Sequence, residues 1–583
     1  MAVESDASLA YHEPDIVTIL VQSSFLLLLN VVNSLLDKAL YCGLVGQVLL
    51  GVAWGTPGAR WLGLEVQRVV VQLGYLGLLL LVYEGGLSTS IRSLTSNLAL
   101  SSAVAVTGIV LPIVLSFVLA RLMDATPLQC FAAGAALCST SLGTTFTVLG
   151  TSGLTKSRLG VVLTSAAMMD DVVGLVMVQV ISNLGARSTS INAATVVRPL
   201  MISVAFAVVA PLLCVLVVRP ATTRLSAHRT ATPKGRLNRL FSSQKTAFTL
   251  HTAILIGCVT GSSYAGTSNL FAAYIAGAAI SWWDSEVPHV SFPPREGEES
   301  SSSRADSAEL RRRETVVPDM SSNSEAPHIK GCGIVIYDSY YAAPVNRVLR
   351  PLFFASIGFS IPITKMFSGQ IVWKGVVYTL LMIIGKFACG GWLLSWRLPF
   401  LSKVKALTVK LLLSGSKHFW GRRPKQQNAT TTTATAPTNT SPSDEAPRDV
   451  VAVSGQESQI PIDPPASTSA PSTIATTGPS RDPDVNPRSL YPATIIGCAM
   501  TARGEIGFLV SSIAKSNGIF ASDPTSQINS DIFLVVTWAI VLCTILGPLA
   551  VGLTVNRVKK LERGAVQDRR AIRWDVLGVW GVS

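Results

Sequence analysis

The run LGVVLTSAAMMDDVVGLVMVQVISNL, residues 159–184, decides the fold because it is long enough to cross a bilayer and carries two adjacent aspartates at its centre. About 20 apolar residues span the hydrocarbon layer as one helix. A charge at that depth costs at least about 2.5–3.5 kcal/mol, and intramembrane carboxylates usually mark an ion or proton pathway. Asp170 and Asp171 are therefore the first candidate functional residues.

The composition of the whole chain also indicates a membrane protein. Of its 583 residues, 49% are hydrophobic and only 14% are charged, whereas soluble domains carry about 25% charged residues. We predict an all-α polytopic fold with about thirteen transmembrane helices. Their approximate bounds are 16–36, 40–56, 66–86, 97–121, 127–150, 158–184, 196–218, 246–264, 266–283, 346–364, 372–396, 490–515 and 530–555.

The basic residues predict how the chain lies across the membrane. The loop 219–245 holds seven basic residues and no acid, and the tail 556–583 holds seven more basic residues. Basic loops stay cytosolic, so we predict that both segments face the cytosol with the loops 284–345 and 397–489. The N-terminus, residues 1–15, then lies outside. This distribution explains the net charge of +13 and disfavours nucleic-acid binding, but plasma and vacuolar or endosomal membranes stay open.

Two long loops differ from the membrane pattern. Residues 286–328 and 424–488 are rich in Ser, Thr, Pro and charged residues, so we predict that both are disordered. The sequence contains no GxGxxG, GxxxxGK[ST] or HExxH pattern, and its nine cysteines include no CxxC pair. We therefore expect no cofactor, no nucleotide-driven pump, no zinc site and no disulfide framework.

A cluster of hydroxyl residues interrupts the predicted span 127–150. The segment 139–145 reads STSLGTT. One Ser or Thr commonly bonds back to its own helix, but five hydroxyls and a glycine in seven residues loosen the helix and offer oxygens at mid-depth. Transporters use broken helices in this way to face a cation. We therefore predict an unwound site that includes Ser139 and Thr140.

A lysine lies within the predicted span 372–396. Lys386 belongs to the segment MIIGKFACGG and is too far from either end of the span to reach the interface comfortably. A buried ammonium needs a counter-charge. Asp170 or Asp171 is the acid available at mid-span.

The predicted span 490–515 contains an arginine and a glutamate that are two residues apart. Side chains with this spacing do not face each other on a helix. Arg503 and Glu505 therefore indicate either a local break at Gly504 or separate partners, with a purely structural ion pair as the alternative.

These features together resemble the cation/proton antiporter superfamily (the sodium/hydrogen exchanger domain), and specifically its two-aspartate branch. The matching segments are Thr140-Ser141, Asp170-Asp171, PLFFASIGF at 351–359 and ARGEIGF at 502–508. The resemblance covers about residues 16–555 apart from the two disordered loops. Many members have Asp-Pro after the unwound-helix threonine, whereas this chain has Ser-Leu, which leaves the ion preference open.

The resemblance implies inverted repeats with two crossing broken helices, a homodimer, and an elevator motion of a core domain. It also implies a transporter rather than an enzyme. In such a site Asp171 would coordinate a monovalent cation with help from Thr140 and nearby carbonyls, while Asp170, about 100° around the helix, would pair with Lys386. Burial disfavours the charged form of an acid, so protons and the cation would compete.

Three other functions on a related fold stay open. They are a channel-like potassium efflux protein, a non-transporting sensor, and a symporter for an organic anion. The sequence contains no regulatory nucleotide domain of the kind expected for the first, and its aspartate pair and lysine disfavour the other two. The transported cation stays open between sodium, potassium and lithium, and exchange stays open between electroneutral and electrogenic.

Overall fold

In a computed structural model of the chain, every regular element among the described residues is helical. The structure describes the following residues: 13–40, 42–89, 97–141, 157–185, 193–231, 243–286, 332–395, 490–521, 531–567, and the single positions 11, 154, 577, 580 and 581.

The first nine helices cover the part of the chain before the first long loop. They are α1 (Ile16–Leu40), α2 (Gly43–Trp54), α3 (Leu64–Leu87), α4 (Leu98–Ser116), α5 (Pro127–Ala136), α6 (Arg158–Gly185), α7 (Ala193–Leu213), α8 (Gln244–Ala265) and α9 (Asn269–Glu286). α7 continues through a π-helical turn, Cys214–Val218, into Arg219–Ala231. Local sequence explains the start of α5: Thr126 and Gln129 form a capping box, and Pro127 occupies the first turn, where its missing N–H costs nothing.

Six further helices follow. They are α10 (Gly333–Tyr340), α11 (Arg350–Gly358), α12 (Gly369–Phe387), α13 (Tyr491–Thr501), α14 (Glu505–Ser516) and α15 (Asp531–Gln567). Short helical turns join α10 to α11 and extend α12 to Ser395.

Eight of the described helical segments are long and apolar enough to cross a membrane, and α2 is a shorter apolar helix. The all-α membrane fold is therefore confirmed, whereas the count of thirteen spans stays a prediction. The predicted spans 246–264 and 266–283 correspond to α8 and α9. Gly266 separates these two helices with a φ of 76°, a left-handed conformation that glycine adopts without strain.

The predicted cytosolic loop 284–345 is too long at its C-terminal end. Helical structure resumes at Gly333 rather than near 346, because the segment from 333 onward is largely apolar and Asp284 accepts a hydrogen bond from the Gly333 N–H at 2.6 Å. The region 287–331 and most of the predicted loop 397–489 lie outside the described residues.

The helices pack as two groups. The core group consists of α4, α5, α6, α12, α13, α14 and α15, and the scaffold group consists of α1, α2, α3, α8, α9, α10 and α11. Packing is dense within each group and sparse between them, and α7 lies against α6 and α9. Glycine permits a close contact between α3 and α9, since a Cβ on Gly86 would lie 2.2 Å from the Tyr274 carbonyl oxygen. Small residues let membrane helices approach in this way.

Candidate functional site

The first part of the site is an unwound segment that follows α5. The helix ends at Ala136, and the described chain from Leu137 to Ser141 is not helical. The predicted break is therefore present at Ser139 and Thr140, and both residues are buried. Residues 142–153 of the hydroxyl-rich region lie outside the described residues.

The second part is a break between α13 and α14. α13 ends at Thr501 and α14 begins at Glu505, so the interruption includes the predicted position Gly504. The two breaks meet where the Ser141 N–H donates to the Ala502 carbonyl at 3.0 Å. Gly504 allows this approach, since a Cβ there would lie 2.6 Å from the Ser141 Cβ. The non-helical segment after α5 thus lies against the break between α13 and α14, and we call this meeting point the crossing.

A buried ion pair lies beside the crossing. The Lys386 Nζ is 2.8 Å from Asp170 Oδ2, and both side chains are 0% exposed. The same ammonium donates to the Cys138 carbonyl at 2.6 Å and to Thr140 Oγ1 at 3.0 Å. An ammonium has three N–H donors, so each has an acceptor. These bonds offset part of the large cost of burying both charges.

The unwound segment supplies one hydroxyl to each aspartate. Thr140 donates to Asp170 Oδ2 at 2.8 Å, and Ser139 donates to Asp171 Oδ1 at 3.0 Å. This differs from the expectation that Thr140 assists Asp171. The two aspartates point about 100° apart on α6, and Thr140 lies on the side of Lys386 and Asp170. Ser139 is therefore the hydroxyl that contacts Asp171.

Arg503 stabilises the crossing instead of pairing with Glu505. Its guanidinium is fully buried and donates from one NH1 group to the carbonyls of Ser139 at 3.0 Å and Met500 at 3.2 Å. Within the described residues Arg503 and Glu505 form no ion pair, so the structural-pair alternative is not supported. Glu505 begins α14, where a helix N-terminus favours a carboxylate.

Sequence reasoning expected backbone carbonyls at the site without identifying them, and it missed one side chain. The backbone carbonyls of Cys138, Met500 and Ala502 accept hydrogen bonds at the site. The sequence does not identify such carbonyls, because every residue type has one. Thr544 in α15 donates to the Arg503 carbonyl at 3.0 Å. A single threonine in an apolar helix most often bonds to its own helix, so the sequence carried no usable signal for this role.

The arrangement gives the two aspartates different chemistry. Asp170 pairs with the ammonium of Lys386, whereas Asp171 accepts a hydrogen bond from a neutral hydroxyl, that of Ser139. The available ligands are carboxylate, hydroxyl and carbonyl oxygens, which suit hard cations and protons. Among the described residues no group of three or more His, Cys, Asp or Glu side chains could hold a metal ion.

Apolar helices that are interrupted beside buried charged side chains are an arrangement that broken-helix transporters use to bind ions. The family described as "Sodium/hydrogen exchanger, transmembrane" matches residues 25–291. With the relatives described next, this match confirms the resemblance to the cation/proton antiporter superfamily. The assignment to its two-aspartate branch stays a prediction.

Two similar proteins are named as antiporters. The chain is 29% identical over 133 residues to the Na(+)/H(+)-K(+) antiporter GerN of Bacillus cereus, which is 23% of this chain and 34% of that protein. It is 32% identical over 143 residues to the high-affinity Na(+)/H(+) antiporter NhaS3 of Synechocystis, which is 24% of this chain and 31% of that protein. The matches thus span about a third of these relatives' length.

The fold is similar to a solved structure. The sodium proton antiporter MjNhaP1 from Methanocaldococcus jannaschii superimposes with a TM-score of 0.50 and 12% sequence identity, over 93% of this chain and 98% of that chain. At this identity the similarity shows the fold alone.

Proposed function

We propose that the protein is a secondary antiporter that exchanges a monovalent cation, Na⁺ or K⁺, for protons across a membrane. The observation that carries the proposal is the unequal environment of the two aspartates. Lys386 balances the charge of Asp170 through an ion pair, while Asp171 retains a carboxylate that a cation or a proton can neutralise.

Competition at Asp171 couples the two ions. A cation at this carboxylate would take the place of a proton, with the Ser139 hydroxyl turned so that its oxygen becomes a ligand. Glu505 begins α14, which packs against α6, the helix of Asp171, and a carboxylate there would favour either positive ligand. If the site moves only when Asp171 is neutralised, downhill movement of one ion drives the other uphill.

The packing supports an elevator-type motion. The side chains of the site all lie on core helices or on the non-helical segments that follow core helices. They are Ser139, Asp170, Asp171, Lys386 and Arg503. Contacts between the core and scaffold groups are few compared with those inside each group. A site held within one compact body can move against a second body while its internal bonds stay intact.

Other parts of the proposal rest on resemblance and composition. We propose a homodimer in a plasma or vacuolar/endosomal membrane, with the long loops and the C-terminus cytosolic. The name of GerN includes both sodium and potassium, so both ions belong in the first assay. The intact ion pair and Asp171 favour transport over a non-transporting sensor.

The test is exchange by the purified protein in proteoliposomes that contain a proton-sensitive dye. We expect dye responses to Na⁺, K⁺ or Li⁺, and an apparent KM for the preferred cation that rises as the pH falls, because protons occupy Asp171. A protein of verified orientation and folding that moves no protons with any of the three cations would refute the proposed function. A KM independent of pH would refute competition at one site.

A further inference from the structure

The segment that connects α11 of the scaffold group to α12 of the core group is held by two core side chains. This linker comprises residues 359–368. Near its start the Lys515 ammonium donates to the Ser360 carbonyl, and near its end the Trp538 indole N–H donates to the Met366 carbonyl at 2.8 Å. The linker is thus tied to the core at both of its ends.

Ser360 is also bonded to the scaffold. Its N–H and its hydroxyl both donate to the Ile357 carbonyl of α11, at 3.1 and 2.8 Å, and the next N–H, of Ile361, donates to the Gly358 carbonyl at 3.1 Å. Ser360 would therefore follow α11 in any motion between the groups, whereas Met366 would follow the core. Within the linker, the hydrogen bond between Lys515 and Ser360 therefore joins the core group to a residue that is fixed to the scaffold.

The environment of Lys515 suits a contact that can form and break. Lys515 lies half-buried in the last turn of α14, and its Nζ is 4.5 Å from the centre of the Phe533 ring in α15. On its other side the ammonium meets a carbonyl just past the end of α11, where a helix dipole favours a cation. Among the described residues Lys515 forms no ion pair with a carboxylate, so charge neutralisation does not explain it.

We propose that Lys515 is a positioning residue that latches the core group to the scaffold in the conformation seen here and releases Ser360 when the core moves. The proposal rests on the antiport motion proposed above. Lys515 is on α14, which packs against α6, the helix that carries Asp171. Movement of the loaded site together with α14 would therefore move the Lys515 ammonium away from the Ser360 carbonyl.

The first experiment locks the contact. The pair Lys515→Cys and Ser360→Cys is bridged with a short thiol-specific cross-linker in a background that lacks the two partly exposed cysteines, Cys258 and Cys332. We expect bridging to abolish cation/proton exchange in proteoliposomes and cleavage of the bridge to restore it, while each single variant treated in the same way keeps exchanging. A bridged protein that exchanges at the unbridged rate would overturn the proposal.

The second experiment removes the contact. Lys515→Met keeps the apolar stem against Phe533 but lacks the donor, Lys515→Arg keeps the charge, and Lys365→Met changes a lysine on the linker itself as a control. Hydrogen exchange of the backbone amides in 359–362 should become roughly tenfold faster in Lys515→Met, the loss expected for a hydrogen bond to a charged group. Lys515→Arg and Lys365→Met should match the wild type.

The outcomes separate the latch from the function. Unchanged amide exchange in a folded Lys515→Met protein, or a failure of Lys515→Arg to restore protection, would overturn the latch. If Lys515→Met does not fold, the exchange rate of the cross-linked Lys515→Cys and Ser360→Cys protein tests the latch instead. A wild-type protein that moves no protons with any cation refutes the proposed function, whereas active exchange with an unaffected linker refutes the latch alone.

Discussion

Removing the lysine of the buried pair should strongly destabilise the protein. In Lys386→Ala, Asp170 loses its ion pair and keeps only the hydrogen bond from Thr140, because its Oδ1 accepts none from the described residues. Breaking a fully buried pair by removing one partner costs about 3–5 kcal/mol, since the other charge stays buried without compensation. We therefore expect a loss of this size in the free energy of unfolding.

A double-mutant cycle isolates the contribution of the pair. Unfolding is followed in detergent by thermal or denaturant titration for Lys386→Ala, Asp170→Asn and the combination, with Lys374→Ala on the same helix as the control. The double variant should recover at least about 1 kcal/mol relative to the sum of the single losses. Lower pH should also reduce the loss in Lys386→Ala, because a protonated carboxyl needs no counter-charge. Strict additivity would refute the pairing and leave Glu505 as the next candidate partner.

Three further outcomes are expected. Ser139→Ala removes the hydrogen bond to Asp171 and should raise the apparent KM for the cation severalfold with little change in melting temperature; an unchanged KM would exclude Ser139 from the site. Gly504→Ala forces a Cβ against Ser141 and should cost about 1–3 kcal/mol by overpacking, measured by thermal unfolding, and wild-type stability would contradict the close crossing. Deleting 424–488 should leave the melting temperature and exchange activity in place, because its composition cannot compensate the entropy of folding; a deletion that unfolds the protein would show that this loop packs on the core.

The sequence predicted those parts of the site that depend on charge in an apolar context. Burial at mid-span indicates that Lys386 pairs with Asp170 or Asp171, because a buried ammonium needs a counter-charge. The family resemblance implies Asp170, and the structure places Asp170 Oδ2 2.8 Å from the Lys386 Nζ. Hydroxyl density and Gly504 likewise predicted both helix breaks. Each of these signals depends on the type of residue at one position and is visible in the sequence.

Contacts that depend on the path of unwound backbone could not be predicted. Helical periodicity no longer applies after Ala136, so the sequence could not decide that Ser139 rather than Thr140 contacts Asp171. Free carbonyls, such as that of Cys138, have no side-chain signature. The start of α10 was missed for a different reason, because its short apolar segment follows a long polar one and is stabilised by Asp284, which is distant in sequence.

The central claim is that a proton and a cation use the same carboxylate, and substitution of Asp171 tests it most directly. Asp171→Asn keeps the size of the side chain and a group able to meet Ser139, but it can carry no charge. In proteoliposomes with a proton-sensitive dye, the account predicts that this variant inserts and folds normally yet shows no cation-dependent proton flux. Proton flux at the wild-type level in Asp171→Asn would contradict the account.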